Sequence, residues 1–145
     1  MNIIKYNKTL QDELDISLIN YRIFSGKYIE YESKRKGKEY DYNDRLRYEG
    51  EYLNGERNGK GKEYDNGKLI FEGEYLNGKR HGKGKEYWDG KLIYEGEFLN
   101  GKRNGKGKEY LNGILKFEGQ YLDGKRNGKW KEFEFFEEII LKENI

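Results

Sequence analysis

Leu92-Ile93-Tyr94-Glu95-Gly96-Glu97-Phe98-Leu99-Asn100-Gly101 is the stretch that decides the fold. It alternates with period two, which puts Leu92, Tyr94, Gly96 and Phe98 on one face of a strand and Ile93, Glu95 and Glu97 on the other. It ends in Asn-Gly, a dipeptide that accepts positive φ and turns the chain between antiparallel strands. The ring-Glu-Gly-Glu-ring core recurs at Tyr48–Tyr52, Phe71–Tyr75, Tyr94–Phe98 and, with Gln120 in place of the second Glu, Phe117–Tyr121. Each step is 23 residues.

The text between these cores repeats too. Asn77-Gly78-Lys79-Arg80-His81-Gly82-Lys83-Gly84-Lys85-Glu86-Tyr87 matches Asn100-Gly101-Lys102-Arg103-Asn104-Gly105-Lys106-Gly107-Lys108-Glu109-Tyr110. Turn dipeptides fall twice per period, at Asn54-Gly55, Asn77-Gly78, Asn100-Gly101 and Asp123-Gly124, and at Asn66-Gly67, Asp89-Gly90 and Asn112-Gly113. Two turns per period mean two strands per period, so the expected fold is all-β: one elongated, twisted, single-layer antiparallel sheet of tandem β-hairpins. The facing of the second strand is ambiguous, because its glycines and its tyrosine have opposite parity. A worn first copy is aligned on Phe24-Ser25-Gly26-Lys27-Tyr28 and Lys36-Gly37-Lys38-Glu39-Tyr40, 24 residues ahead of the next, its extra residue falling in the Asp41–Asp44 turn. The organisation read from this is an N-terminal cap over 1–23 and a repeat array over 24–139, followed by a tail over 140–145. The array divides into 24–47, 48–70, 71–93, 94–116 and 117–139. Leu10, Leu14 and Leu18 share a helical face after Thr9, which predicts a short helix over 9–19. Glu137 to Lys142 reads equally as strand or helix.

Composition removes other classes. The 145 residues include no Cys, one His and no Pro, against 20 Gly and 23 rings. No disulfide framework or thiolate metal site is available, and no multi-histidine centre. Mean hydropathy is −1.20, a value typical of disorder, but disordered chains are poor in rings. No apolar run reaches the length of a membrane span, Met1–Lys5 lacks a secretory apolar region, and Asn2 excludes myristoylation. The expected compartment is the cytoplasm. A net charge of +2 is too balanced to announce nucleic acid.

Tyr94-Glu95-Gly96-Glu97-Phe98-Leu99-Asn100-Gly101-Lys102-Arg103-Asn104-Gly105-Lys106-Gly107 resembles a MORN repeat (membrane occupation and recognition nexus). The resemblance covers about four-fifths of the chain and is specific, since ring, glycine and turn positions recur together. The second turn, Asn/Asp-Gly-Lys-Leu-Ile, is similar to a bacterial variant of the repeat. It implies hairpins laid side by side, interaction scaffolding, frequent dimerisation and a disputed affinity for phosphoinositides. It implies no enzymatic activity and no cofactor.

Candidate residues divide into three groups. The ring column comprises Phe24, Tyr48, Phe71, Tyr94 and Phe117 with Tyr28, Tyr52, Tyr75, Phe98 and Tyr121. Its primary role is structural, but one sheet layer cannot cover its own ring face, so Tyr52, Tyr75, Phe98 and Tyr121 are expected to receive a partner. Arg57, Lys79, Arg80, Lys102, Arg103, Lys125 and Arg126 align along the turns. They offer an edge for anionic lipid, against a better-supported reading as cross-strand Lys-Glu pairing on the solvent face opposite Glu49/Glu51, Glu72/Glu74 and Glu95/Glu97. Trp130 stands where earlier copies carry Gly37, Gly61, Gly84 and Gly107, and is expected to cap the open end with Phe133, Phe135 and Phe136. A homodimer through this C-terminal end, with Trp130 and Phe135 in the contact, is the expected assembly. His81 occupies a position held by Asn58, Asn104 and Asn127, which marks it as a turn residue and not a catalytic one. No catalytic, cofactor-binding or metal-binding residue is expected.

Overall fold

The computed structural model describes residues 27–33 and 35–133. The expected N-terminal cap with its 9–19 helix, Phe24, Phe135, Phe136 and the tail lie outside them. Ten strands run in chain order: β1 (Lys27–Ser33), β2 (Lys36–Asp41), β3 (Leu46–Leu53), β4 (Glu56–Asp65), β5 (Lys68–Leu76), β6 (Lys79–Trp88), β7 (Lys91–Leu99), β8 (Lys102–Leu111), β9 (Ile114–Leu122) and β10 (Lys125–Glu132). They form one sheet in which each strand pairs only with its sequence neighbours, always antiparallel. Nine inter-strand steps of about 4.8 Å make the described array ~43 Å long.

Each Asn/Asp-Gly pair closes a two-residue turn. At the β5–β6 turn Leu76 faces Lys79, with φ of 50° at Asn77 and 77° at Gly78. Positive φ at both central residues makes a type I′ turn, whose twist matches that of the strands. The β2–β3 connection is longer and absorbs the extra residue: Asp44 takes φ 60°, and the Asp41 N–H donates to the Arg45 carbonyl at 3.0 Å.

A row of glycines crosses the sheet. Gly37 faces Gly50, Gly50 faces Gly61, and the row continues through Gly73, Gly84, Gly96 and Gly107 to Gly119. The first ring of each copy lies across this row. A methyl group built on Gly84 would collide with Phe71 Cζ, and one on Gly61 with the Tyr48 phenol. Here glycine is required by close approach, because the ring occupies the space of the missing side chain. This settles the facing of the second strand. In β4 the glycine Gly61 and the carboxylate Glu63 share the ring face, while Lys60, Lys62 and Tyr64 share the other.

The first copy is threaded differently from the alignment on Phe24 and Tyr28. Ile29 faces Glu39 and Tyr31 faces Gly37, so Ile29 takes the place of Tyr48 or Phe71, and Tyr31 takes the glycine position. Tyr28 is therefore not in the ring column. It is buried on the opposite face, stacked on Tyr40 at 5.2 Å, with its hydroxyl donating to Asp44 at 2.7 Å. Among the described residues no strand precedes β1, so a large ring at the end of the glycine row obstructs no neighbouring hairpin. Trp130, which faces Gly119, ends the row in the same way at β10.

Candidate functional site

The sheet presents two unlike faces. On the ring face the side chains form a zigzag of edge-to-face contacts. Tyr48 meets Tyr75 at 5.1 Å, Tyr75 meets Phe71 at 5.5 Å, Phe71 meets Phe98 at 5.1 Å and Tyr94 meets Tyr121 at 5.2 Å. Interplanar angles of 84–87° set ring edges against ring faces, the arrangement favoured by the aromatic quadrupole.

In each of the four copies from 48 onward one arginine covers a ring. The guanidinium carbon lies 4.3 Å from the Tyr48 centroid at Arg57, 4.2 Å from Phe71 at Arg80, 4.1 Å from Tyr94 at Arg103 and 3.9 Å from Phe117 at Arg126. Each arginine bridges two carboxylates from successive copies. Arg57 pairs with Glu39 (3.1 Å) and Glu63 (3.3 Å), Arg80 with Glu63 (2.7 Å) and Glu86 (2.9 Å), and Arg103 with Glu86 (2.6 Å) and Glu109 (3.3 Å). Arg126 continues the series to Glu109 and, at 3.9 Å, to Glu132. Glycine below and an ion-pair ladder above thus enclose the rings within a single layer. Burial alone would disfavour the charge on Glu63. The hydrogen bond and charge of Arg80, with the Tyr75 hydroxyl, outweigh that and hold the carboxyl below its ordinary range.

This corrects the expectation of an open ring face. Tyr52, Tyr75 and Phe98 are 3% exposed and Tyr121 4%, because Gly-Gly pairing lets the rings sink against the backbone and the arginines close over them. Arg57, Arg80 and Arg103 are turned inward to the ladder, and Arg126 joins it while remaining exposed. Of the turn cations Lys79, Lys102 and Lys125 stay exposed, with Lys102 pairing with Asp123 at 3.3 Å. Trp130 lies 5.8 Å from Phe117 at a 32° tilt and is still 55% exposed. His81 faces Glu74 on β5 and is half-buried. The glutamates of the ladder escaped sequence reasoning, although their spacing announces them: Arg57–Glu63, Arg80–Glu86, Arg103–Glu109 and Arg126–Glu132 are each six apart.

The opposite face is a groove of about 1970 Å³ that crosses the strands along the glycine row. Lysine and glutamate alternate along its walls. Lys62 lies between Glu49 and Glu72, Lys85 between Glu72 and Glu95, and Lys108 between Glu95 and Glu118. Tyr64, Tyr87 and Tyr110 donate to Glu49, Glu72 and Glu95, each at 2.6 Å. Burial first, and then these hydrogen bonds, push the three phenols up to about 12. Along one lip Leu76, Leu99 and Leu122, 45–55% exposed, face Lys79, Lys102 and Lys125 across the turns. Among the described residues no cluster of His, Asp and Glu is arranged to hold a metal ion, and no helix is long and apolar enough to cross a membrane.

The MORN repeat model matches residues 48–68, 71–90, 94–113 and 117–129. No curated protein sequence matches the chain. Among solved structures it is similar to TarM, with 14% identity and a TM-score of 0.49 over 89% of this chain. It is also similar to an S. aureus TarM mutant in complex with Fondaparinux, alpha-GlcNAc-glycerol and UDP, with 15% identity and a TM-score of 0.47 over 84% of this chain. The chain spans 24% of the length of each.

Proposed function

Since the chain belongs to the MORN-repeat family, whose repeats are commonly protein or membrane-lipid interaction modules and generally non-catalytic, we propose that it is a protein-binding scaffold. Its polar side chains recur in register instead of converging on one reacting centre, which favours binding over catalysis. Its partners dock at the sheet edges, foremost a second copy at β10. The observation that carries this is β10 itself, whose eight residues are all exposed and whose outer edge meets no other strand among the described residues. An edge of this kind is a template for strand pairing. Light scattering on the purified chain is the test. The Phe133 N–H donates inward to the Lys116 carbonyl, so alternation points the Glu132 N–H outward. Glu132→Pro removes that outward donor without breaking the β9–β10 ladder, and dissociation of a dimer by this variant is the expected result. A monomer at tens of micromolar for the parent chain refutes the self-association.

A second reading has its own observation. Exposed leucine alternates with exposed lysine along the lip formed by Leu76–Lys79, Leu99–Lys102 and Leu122–Lys125, a pattern suited to an anionic membrane surface. On this reading the lysines carry the lipid contact, while the arginines stay in the ladder. Flotation with phosphatidylserine vesicles tests it. Capture that survives Lys79→Gln/Lys102→Gln/Lys125→Gln counts against this lip.

A further inference from the structure

The three hairpins β3–β4, β5–β6 and β7–β8 each hold a carboxylate in one place. Within the hairpins β3–β4, β5–β6 and β7–β8 the register shifts just past the glycine row. The second strand there forms a bulge around Gly59, Gly82 and Gly105, with φ of 89°, 60° and 77°. Over each bulge lies a glutamate from the first strand. A methyl group built on Gly59 would stand 2.5 Å from Glu51 Oε2, and those on Gly82 and Gly105 would strike Glu74 Oε2 and Glu97 Oε2. In the first of these the Lys60 N–H donates to Glu51 Oε1 at 3.3 Å. The bulge is thus a carboxylate cradle, filled by the chain's own glutamate.

The last hairpin keeps the cradle and changes the occupant. Gly128 bulges with φ 69°, at the register shift between Asn127 and Trp130. The residue equivalent to Glu51, Glu74 and Glu97 is Gln120. Its Cβ and Cγ stay 3.8 and 3.9 Å from a methyl group built on Gly128, and no other atom comes within 4 Å. Gln120 faces Lys106, and Lys129 follows Gly128 in the bulge. Elsewhere a glutamate lies in the row between lysines; here the row carries a neutral amide, and Lys106 and Lys129 have no intervening carboxylate. The indole of Trp130 lies on the other face, 5.8 Å from Phe117, and leaves this end of the groove to the two lysines and the amide.

We propose that this C-terminal end of the groove is a carboxylate site that captures an acidic side chain from an extended segment of a partner protein. This rests on the scaffold reading. The ligand carboxylate takes the place that Glu51, Glu74 and Glu97 take upstream, over Gly128 and between Lys106 and Lys129, and the segment lies along the glycine-floored groove. An extended chain fits because the groove is continuous across the strands, and an acidic one because at Gln120 no glutamate lies between Lys106 and Lys129.

The test titrates the full chain by isothermal calorimetry with an acetylated peptide of alternating Glu and Thr, and with the matching Gln-Thr peptide as control, and reads the heat released on binding. Saturable heat with the first and none with the second is expected, weakened by salt. Gln120→Glu fills the cradle as in the other copies and should weaken binding about ten-fold, a change of the size of two or more exposed charge pairs. Lys106→Gln/Lys129→Gln should weaken it comparably. Equal affinity in the Gln120→Glu variant overturns the proposal, and so does equal binding of the Gln-Thr peptide. Binding seen only after Glu134, Glu137 and Glu138 are changed to Gln shows that the chain itself fills the site, which also overturns it. End-strand pairing, read with Glu132→Pro, is a separate measurement, so the two readings fail separately.

Discussion

Gly84→Ala adds one methyl group to the centre of the glycine row. Gly84 has no positive φ, so alanine brings no backbone strain and the cost is one of space. The new carbon would lie 2.7 Å from Phe71 Cε2 and 3.2 Å from Phe98 Cε2, and closer still to Phe71 Cζ. Carbon contacts settle at about 3.5–4.0 Å, so the Phe71 ring must move by about 1 Å. Phe71 is fully buried, with the Tyr75 and Phe98 ring centroids 5.5 and 5.1 Å from its own and the Arg80 guanidinium carbon 4.2 Å above it. The ring has nowhere to go, which places the cost near the upper end of overpacking, about 3 kcal/mol. Replacing glycine restricts the unfolded chain and offsets about 0.4–1 kcal/mol of this. The net expectation is a loss of about 2 kcal/mol. Urea unfolding followed by circular dichroism reads it, and a double-mutant cycle isolates the cause. Phe71→Leu shortens the side chain, so alanine at 84 should be better tolerated in that background, with a coupling of at least about 1 kcal/mol. Additivity of the two changes to within about 0.5 kcal/mol would refute the account of glycine as the seat of the ring.

Three further outcomes follow from the same geometry. Arg103→Ala uncovers Tyr94 and leaves Glu86 and Glu109 with fewer partners; a half-buried bridge of this kind should cost about 2 kcal/mol in urea unfolding and raise binding of a hydrophobic dye. Glu63 and Glu109 are held below the ordinary carboxylate value of 4.5 against the opposing effect of burial, Glu63 chiefly by Arg80 and Glu109 by Arg126 and Tyr121. Their contribution is therefore complete above 4.5 and lost as pH falls below it, so urea midpoints should hold from neutrality to that point and then decline, less steeply in Glu63→Gln. Trp130→Gly should cost about 1–2 kcal/mol, below the 3–5 of a fully buried ring because half the indole is already exposed, and hydrogen exchange should accelerate first in β9 and β10. Unchanged protection there would mean that Trp130 does not cap the array.

Much of this architecture is local information, and local information is legible. The Asn/Asp-Gly pairs specify I′ turns because those residues accept positive φ with little strain. Alternation about Phe71-Glu72-Gly73-Glu74-Tyr75 assigns faces because successive side chains in a strand point opposite ways. The 23-residue period then makes every strand the neighbour of the next. The first copy misled because Phe24-Ser25-Gly26-Lys27-Tyr28 imitates the ring-glycine pattern. Ile29-Glu30-Tyr31-Glu32 carried the register instead, and its period-two glutamates were the available clue.

By itself the sequence determined the hairpins, their order and the single layer, since each depends on residues within one period. Only the tertiary structure decided that the ring face is closed. Arg80 reaches Glu63 in one hairpin and Glu86 in its own while lying on Phe71, an arrangement that exists only after neighbouring hairpins are paired and twisted. The same pairing decided which cations remain outside and which carboxylates fold back over their bulges. Those are questions of distance between side chains, and period and alternation fix direction without fixing distance.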